Sequence, residues 1–360
     1  MEGWSLRCGS CGHRLDVLSL AWRCPACAGL LDLDGPVGDP TPPAGAPWSL
    51  WRYAGALPPL APVTLGEGMT PLVASATDPT VLWKLDFVMP TLSFKDRGAA
   101  LVMAGVAAAG ARSVIADSSG NAGTSVAAYA ARAGVAARVF VPGATSPAKV
   151  ATIERLGATV EVIAGDRAAT AEAARHAVEA AGPGVVYASH VHQPLFTAGT
   201  ATFAYEVWEQ LGGRLPGTVV LPAGNGTLVL GAAAGFARLV AAGLAPAAPA
   251  IVTVQAAACA PIAGRRPTGP TVAEGIAITD PPRAAQVRAA TRTFLLAEER
   301  QIFPARADLA RRGVDVELTA AATWAAWRAW PGAAAAARPV VVALCGAGLK
   351  APGPAVTGVR

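Results

Sequence analysis

Two sets of residues in this chain stand at spacings that could do chemistry. Cys8-Gly-Ser-Cys11 and Cys24-Pro-Ala-Cys27 are C-x-x-C pairs separated by a short spacer. Each pair puts two thiolates on one tight turn, and four thiolates converging at about 2.3 Å make a tetrahedral site for structural zinc. Iron is the alternative occupant, and two disulfides are the alternative chemistry, which a reducing compartment disfavours. His13, in the spacer, is expected at the surface and not among the ligands. The second set centres on lysine. The chain has only Lys84, Lys95, Lys149 and Lys350, so a lysine kept in so arginine-rich a sequence is a candidate for chemistry. Lys95 stands in Pro90-Thr91-Leu92-Ser93-Phe94-Lys95-Asp96-Arg97-Gly98, where a loop opens into a helix. A fixed, desolvated amine there could form a Schiff base with a carbonyl. A surface lysine paired with Asp96 is the plain alternative.

Three glycine-rich segments follow apolar runs. Ile115-Ala116-Asp117 leads into Ser118-Ser119-Gly120-Asn121-Ala122-Gly123, whose amides could form a nest for a carboxylate. Thr218 to Leu221 leads into Pro222-Ala223-Gly224-Asn225-Gly226-Thr227, where backbone amides, a helix dipole and the Thr227 hydroxyl suit a phosphate monoester. The dinucleotide spacing G-x-G-x-x-G is not met, and no acidic residue follows at the ribose distance. Val340 to Leu344 ends in Cys345-Gly346-Ala347-Gly348-Leu349-Lys350, which aims Cys345 toward the same crevice. Taken alone, each has a plainer account: a strand-to-helix turn for the glycine loops, a buried structural thiol for Cys345.

The elements that must position these residues alternate. Val114–Ala116, Ala137–Val141, Thr159–Ile163, Val185–Tyr187, Thr218–Leu221, Ile251–Val254 and Val340–Leu344 are short apolar runs separated by alanine-rich helical stretches. Strands alternating with helices specify an α/β fold with mainly parallel sheets, and ligands then bind at the carboxyl ends of strands. The expected organisation is a ribbon-like four-cysteine segment over 1–34 and a proline-rich arm over 35–64. A larger domain follows from 65–95 and 200–360, with a smaller one over 96–199 carrying the Ser-Ser-Gly-Asn loop.

The 360 residues are 53% hydrophobic and 15% charged, enough for two ordinary cores. The net charge of +5 comes from scattered arginines, which argues against a nucleic-acid surface. A nucleic-acid-binding ribbon is the reading from another class, carried only by the cysteines and that charge; salt-sensitive binding that survives loss of Lys95 would mark it. The start has no apolar leader, so a cytoplasmic location is expected. The uncharged stretches 215–237 and 239–264 are interrupted by prolines and are expected to be strands and buried helices, with no membrane span.

In this order the motifs resemble the threonine synthase family of fold-type II, tryptophan synthase β-like, pyridoxal-phosphate (PLP) enzymes. Gly66-Glu67-Gly68-Met69-Thr70-Pro71-Leu72 is similar to the family's entry motif, and Ser93-Phe94-Lys95-Asp96-Arg97 to its cofactor-lysine motif. The likeness spans about Leu65 to Lys350, and some members also begin with a C-x-x-C zinc ribbon. It implies two open, mainly parallel sheets flanked by helices, and that Lys95 holds PLP and acts as general base, that Asn121 contacts the ring oxygen, and that Gly224, Asn225, Gly226 and Thr227 cradle the phosphate. Cys345 would face the pyridine nitrogen. An amino-acid substrate would meet Ser93, Ser118, Ser119, Gly120, Ala122 and Gly123, and a homodimer is expected. The implied reaction is loss of phosphate from O-phosphohomoserine and addition of water to give threonine. The alternative is β-elimination or β-replacement on serine, threonine or phosphoserine-like amino acids.

Two departures bear on substrate. Leu92 replaces a glycine usual in the lysine motif. The segment that supplies an arginine to the substrate phosphate corresponds to 187–199, which holds His190, His192, Pro194 and Phe196 but no arginine. His190 and His192 alternate along what reads as an extended segment, so that, protonated, they would face one side and replace the cation; histidines in a polar loop are the plain alternative.

Overall fold

The computed structural model describes residues 3–350; positions 1–2 and 351–360, at the ends of the expected first and last segments, lie outside the described residues. The chain opens with β1 (Ser5–Cys8), β2 (Arg14–Asp16) and β3 (Leu31–Asp34), an antiparallel sheet in the order β2-β1-β3. β4 (Leu72–Ala74) and β5 (Val81–Lys84) follow as an antiparallel pair. Next come α1 (Lys95–Ala108), β6 (Ser113–Asp117), α2 (Asn121–Ala133), β7 (Ala136–Pro142), α3 (Pro147–Arg155), β8 (Thr159–Ile163), α4 (Arg167–Ala181), β9 (Val185–Tyr187) and α5 (Pro194–Gln210). The chain continues through β10 (Thr218–Pro222), α6 (Thr227–Ala241), β11 (Ala250–Ala256), α7 (Ala284–Ala290), β12 (Thr293–Ala297), α8 (Glu299–Arg311), α9 (Leu318–Ala329) and β13 (Val340–Ala343).

The described residues divide into two bodies, a lysine body within Met1–Glu67 and Lys95–Thr202, and a second body within Gly68–Phe94 and Phe203–Arg360. The cysteine segment and the proline-rich arm cluster with the lysine body, and the cut falls between Phe94 and Lys95.

The lysine body holds a parallel sheet in the order β8-β7-β6-β9. The chain steps outward from β6 to β7 and β8, then returns to the other side of β6 for β9, so the strand order reverses between β6 and β9. Helices on the two flanks of such a reversal part at the carboxyl ends of the strands and leave a crevice there. Asp117 and Tyr187 end those two strands. α1 is buried from Asp96 through Val106, as a helix packed on all sides must be. Leu6, Val17, Leu20 and Leu31 of the cysteine segment share one apolar cluster with Leu101 and Val102 of α1.

The second body repeats the plan. Its sheet runs β12-β11-β10-β13-β5-β4, parallel except for β4, and its order reverses between β10 and β13. Every residue of β10 and β13 is buried, which explains why Thr-Val-Val-Leu-Pro and Val-Val-Val-Ala read as unbroken apolar runs. Strands β4, β5 and β12 had no counterpart among the runs singled out in the sequence. The uncharged stretches resolve into β10, α6 and β11, and among the described residues no helix is long and apolar enough to cross a membrane.

Candidate functional site

In the lysine body, Lys95 is the first residue of α1 and is half-buried, with its Nζ 5.7 Å from the centre of the Phe196 ring. Its neighbours turn the other way. Asp96 accepts a hydrogen bond from the Ser125 hydroxyl on α2, and the Arg97 guanidinium donates to Thr202 Oγ1 at 3.0 Å; both side chains are fully buried. Close approach of α5 to α1 depends on glycine: a Cβ at Gly199 would lie 2.0 Å from the Arg97 carbonyl oxygen, and one at Gly98 would lie 2.4 Å from the Phe196 ring. Glu67 of the entry motif is buried and accepts from the Leu65 amide and the Tyr129 hydroxyl, each at 2.8 Å, which ties that motif to α2.

Ser118–Gly123 forms the link from β6 to α2. Gly120 is the N-cap of α2 and no side chain caps the helix, so its first amides face the loop. Gly123 could not be another residue, since its Cβ would meet the Ser118 carbonyl oxygen at 1.8 Å. Ser118 and Ala122 are buried; Ser119, Gly120 and Asn121 are half-buried.

The histidine expectation is corrected. β9 stops at Tyr187, and residues 190–192 form a turn closed by the Gln193 amide on the Ser189 carbonyl at 2.9 Å, so the alternation of an extended strand does not apply. His190 lies edge-on to Phe196 at 5.9 Å, whereas His192 stacks on Tyr187 at 5.9 Å. Burial, with the Lys95 charge adding to it, pushes the His190 imidazolium well below its usual range, which disfavours a replacement cation at this position.

A stability effect follows. The unfolded chain gains a proton at His190 near its ordinary value of 6.5. The folded chain refuses that proton until lower pH, so stability falls as pH drops below that point, by about 1.4 kcal/mol per unit. Unfolding free energies at pH 6.5 and 5.5 are expected to differ by up to about 1 kcal/mol more in wild type than in His190→Gln; equal differences would contradict the burial assigned to this ring.

In the second body, β10 gives way to Gly224-Asn225-Gly226 and α6 begins at Thr227. Gly226 is the N-cap, with φ of 77°, and again no side chain caps the helix. Both glycines are imposed by packing: a Cβ at Gly224 would lie 2.7 Å from the Gly275 carbonyl oxygen, and one at Gly226 2.2 Å from Val287 Cγ2. Beyond β13, buried Cys345 places its Sγ 3.9 Å from Glu317 Oε1. The Phe94 amide donates to the Cys345 carbonyl at 3.0 Å, which joins the approach to the lysine motif to this segment. Leu92 takes a left-handed φ of 64°, the conformation a glycine adopts freely, at a cost of roughly 1 kcal/mol.

Two observations show that these residues fit a phosphate-bearing cofactor and an amino acid. Each body presents an uncapped helix start directly after a strand at its switch point, which is how α/β sheets hold anions. Ser93 Oγ and Gln193 Oε1 are buried polar atoms without hydrogen-bond partners, as groups awaiting a ligand are. Gln193 and Glu317 were not singled out in the sequence. An amide beside two histidines and a carboxylate before a helix are ordinary surface patterns until the fold buries the first and sets the second beside Cys345.

The four cysteines converge. Sγ separations are 3.5 Å for Cys8–Cys27, 3.6 Å for Cys11–Cys24 and 3.4 Å for Cys11–Cys27, and all four lie within 4.8 Å of one another. Tetrahedral thiolates at about 2.3 Å from an ion stand about 3.8 Å apart, whereas disulfide sulfurs stand at about 2.0 Å, so this set fits a metal and not two disulfides. The Cys11 backbone amide is the main group that lowers the Cys8 thiol to about 6, while, against the Gly29 amide, the Cys11 and Cys8 sulfurs push the Cys27 thiol up to about 12, as crowded thiols do to one another without a cation among them.

A family model described as "Pyridoxal-phosphate dependent enzyme" matches residues 63–346. Threonine synthase of Mycobacterium tuberculosis is 34% identical over 276 residues, 73% of this chain and 76% of that protein. L-serine dehydratase/L-threonine deaminase of Mus musculus is 35% identical over 157 residues, 44% of this chain and 47% of that protein. The solved structure of maize serine racemase superposes with a TM-score of 0.67 at 17% identity, covering 78% of this chain and 88% of that one.

Proposed function

The chain belongs to the pyridoxal-phosphate dependent enzyme family, with the fold-type II architecture, and from that premise we propose that it is a lyase that removes the α-proton of a small amino acid and expels an uncharged β-substituent, as from serine or threonine. The observation that carries this reading is the wall beside Lys95. Phe196 stands 5.7 Å from its amine, burial disfavours a charge on His190, and residues 187–199 contain no lysine or arginine. This segment offers a phosphate no cation of its own, and a phosphate without one is poorly held, whereas an apolar ring and a buried imidazole suit a hydroxyl or methyl group.

Lys95 would hold PLP covalently and carry the α-proton as general base. Bound PLP supplies the electron sink for the pair left at the α-carbon. Gly224, Asn225, Gly226 and Thr227 would take its phosphate and Asn121 its ring oxygen. Cys345 would stand at the pyridine nitrogen, where a thiol cannot protonate the ring as an aspartate would. Ser93, Ser118, Ser119, Gly120, Ala122 and Gly123 would receive the substrate, and the uncapped amides of α2 suit its carboxylate.

Threonine synthesis from O-phosphohomoserine is the second reading, supported by the 34% identity to a threonine synthase. Arg167, whose charge bears on both Asp117 and His190, is the cation it would use. Incubating the PLP-loaded protein with serine, threonine and O-phosphohomoserine separates the two. Keto acid from the first two supports β-elimination; phosphate release from the third, with no keto acid, overturns it in favour of the second. The cysteine set would hold structural zinc, so elemental analysis is expected to find about one zinc per chain, lost in Cys11→Ser/Cys27→Ser; wild type without metal would refute the site. A homodimer is the assembly that the resemblance supplies.

A further inference from the structure

The loop between the two cysteine pairs reaches the part of the lysine body where β6 and β9 end. The Trp22 ring lies edge-on to Tyr187 at 5.4 Å and edge-on to His192 at 5.5 Å. Tyr187 is the last residue of β9. Burial raises the pKa of Asp117, the last residue of β6 and the one before Ser118, and the Tyr187 side chain acts on that carboxylate in the opposite direction. Two residues earlier, the Leu20 carbonyl accepts from Gln193 Nε2 at 3.2 Å, and the Leu20 side chain packs at Gly105 of α1. The outer face of Trp22 is covered by the Arg23 guanidinium 4.5 Å from the ring centre, itself paired with Glu179 on α4 at 2.7 Å. One indole is thus packed against the end of β9 and against the turn that follows it, and each such aromatic pair contributes about 0.5–1.5 kcal/mol beyond its buried area.

We propose that Trp22 is a positioning residue for the amino-acid site, holding the Ser118–Gly123 loop through Tyr187 and the His190–Gln193 turn through His192. The cysteine segment is then a structural part of that site, with Cys24, two residues on from Trp22, anchoring it. The inference rests on the reading of this loop and turn as substrate walls.

The test uses the full-length, PLP-loaded chain and compares wild type, Trp22→Ala and Trp22→Phe by hydrogen exchange of residues 117–123 and 188–196, with kcat and KM measured in parallel. Trp22→Ala is expected to speed exchange in both segments about tenfold and to raise KM about tenfold with kcat nearly unchanged; Trp22→Phe restores both. Unchanged exchange in Trp22→Ala overturns the proposal. Faster exchange with unchanged KM overturns the positioning role while leaving the packing. Should Trp22→Ala fail to fold, Trp22→Leu, which keeps apolar volume without the ring edges, is read the same way. A wild type that turns over no amino acid would count against the lyase reading alone, because the exchange arm is independent of it.

Discussion

Lys95→Ala is expected to lower kcat on the responding amino acid by at least about 10³-fold, or about 4 kcal/mol of barrier, while leaving the fold intact. The reasoning starts from where the side chain sits. Lys95 is half-buried at the first turn of α1, and the residues that anchor that turn, Asp96 and Arg97, bond to Ser125 and Thr202 and are untouched by the substitution. What is lost is the amine, and with it both the covalent hold on PLP and the base for the α-proton. Circular dichroism and a denaturant midpoint close to wild type, together with the loss of turnover, are the expected pair of results. A variant retaining a tenth of wild-type kcat would mean that another group moves the proton.

Glu206→Leu is expected to destabilise the second body by about 3–5 kcal/mol, because it leaves an uncompensated buried ammonium. Lys84 and Glu206 are both fully buried and paired at 2.7 Å. The ammonium also donates to the Thr70 carbonyl at 2.6 Å and to Gln210 Oε1 at 2.9 Å, so its three protons have three acceptors, two of them on α5. Removing both charges is a different matter: Lys84→Met/Glu206→Leu is expected to recover most of the loss, since desolvating the pair already offsets much of its attraction. Chemical denaturation of the two variants checks this. A single variant within about 1 kcal/mol of wild type would show that water or another group reaches Lys84.

How much of this was legible beforehand depended on whether the signal was local. β10 and β13 read directly because a strand buried on both faces is apolar at every position, and the glycine loops after β6 and β10 read directly because a strand-to-helix turn needs glycine there. The four cysteines announced themselves by spacing alone. β12, five residues amid alanine-rich sequence, lacks the β-branched run that marks a strand, and β4 has only three residues. His190 and His192 misled because Tyr187 to His192 alternates like a strand while the chain has already turned at Ser189. The contacts that organise the site were out of reach. Trp22 meets Tyr187 across 165 positions and Cys345 meets Glu317 across 28, and nothing local in either sequence neighbourhood records the partner.

The central claim is that Lys95, among four lysines, carries the cofactor. Its most direct test is to load the purified chain with PLP, reduce it with borohydride and map the modified peptide by mass spectrometry. The account predicts a single phosphopyridoxyl group on the peptide containing Lys95, and no modification of Lys84, whose ammonium is fully buried in its ion pair. A label on Lys84, Lys149 or Lys350 with Lys95 unmodified, or no label at all, would contradict it.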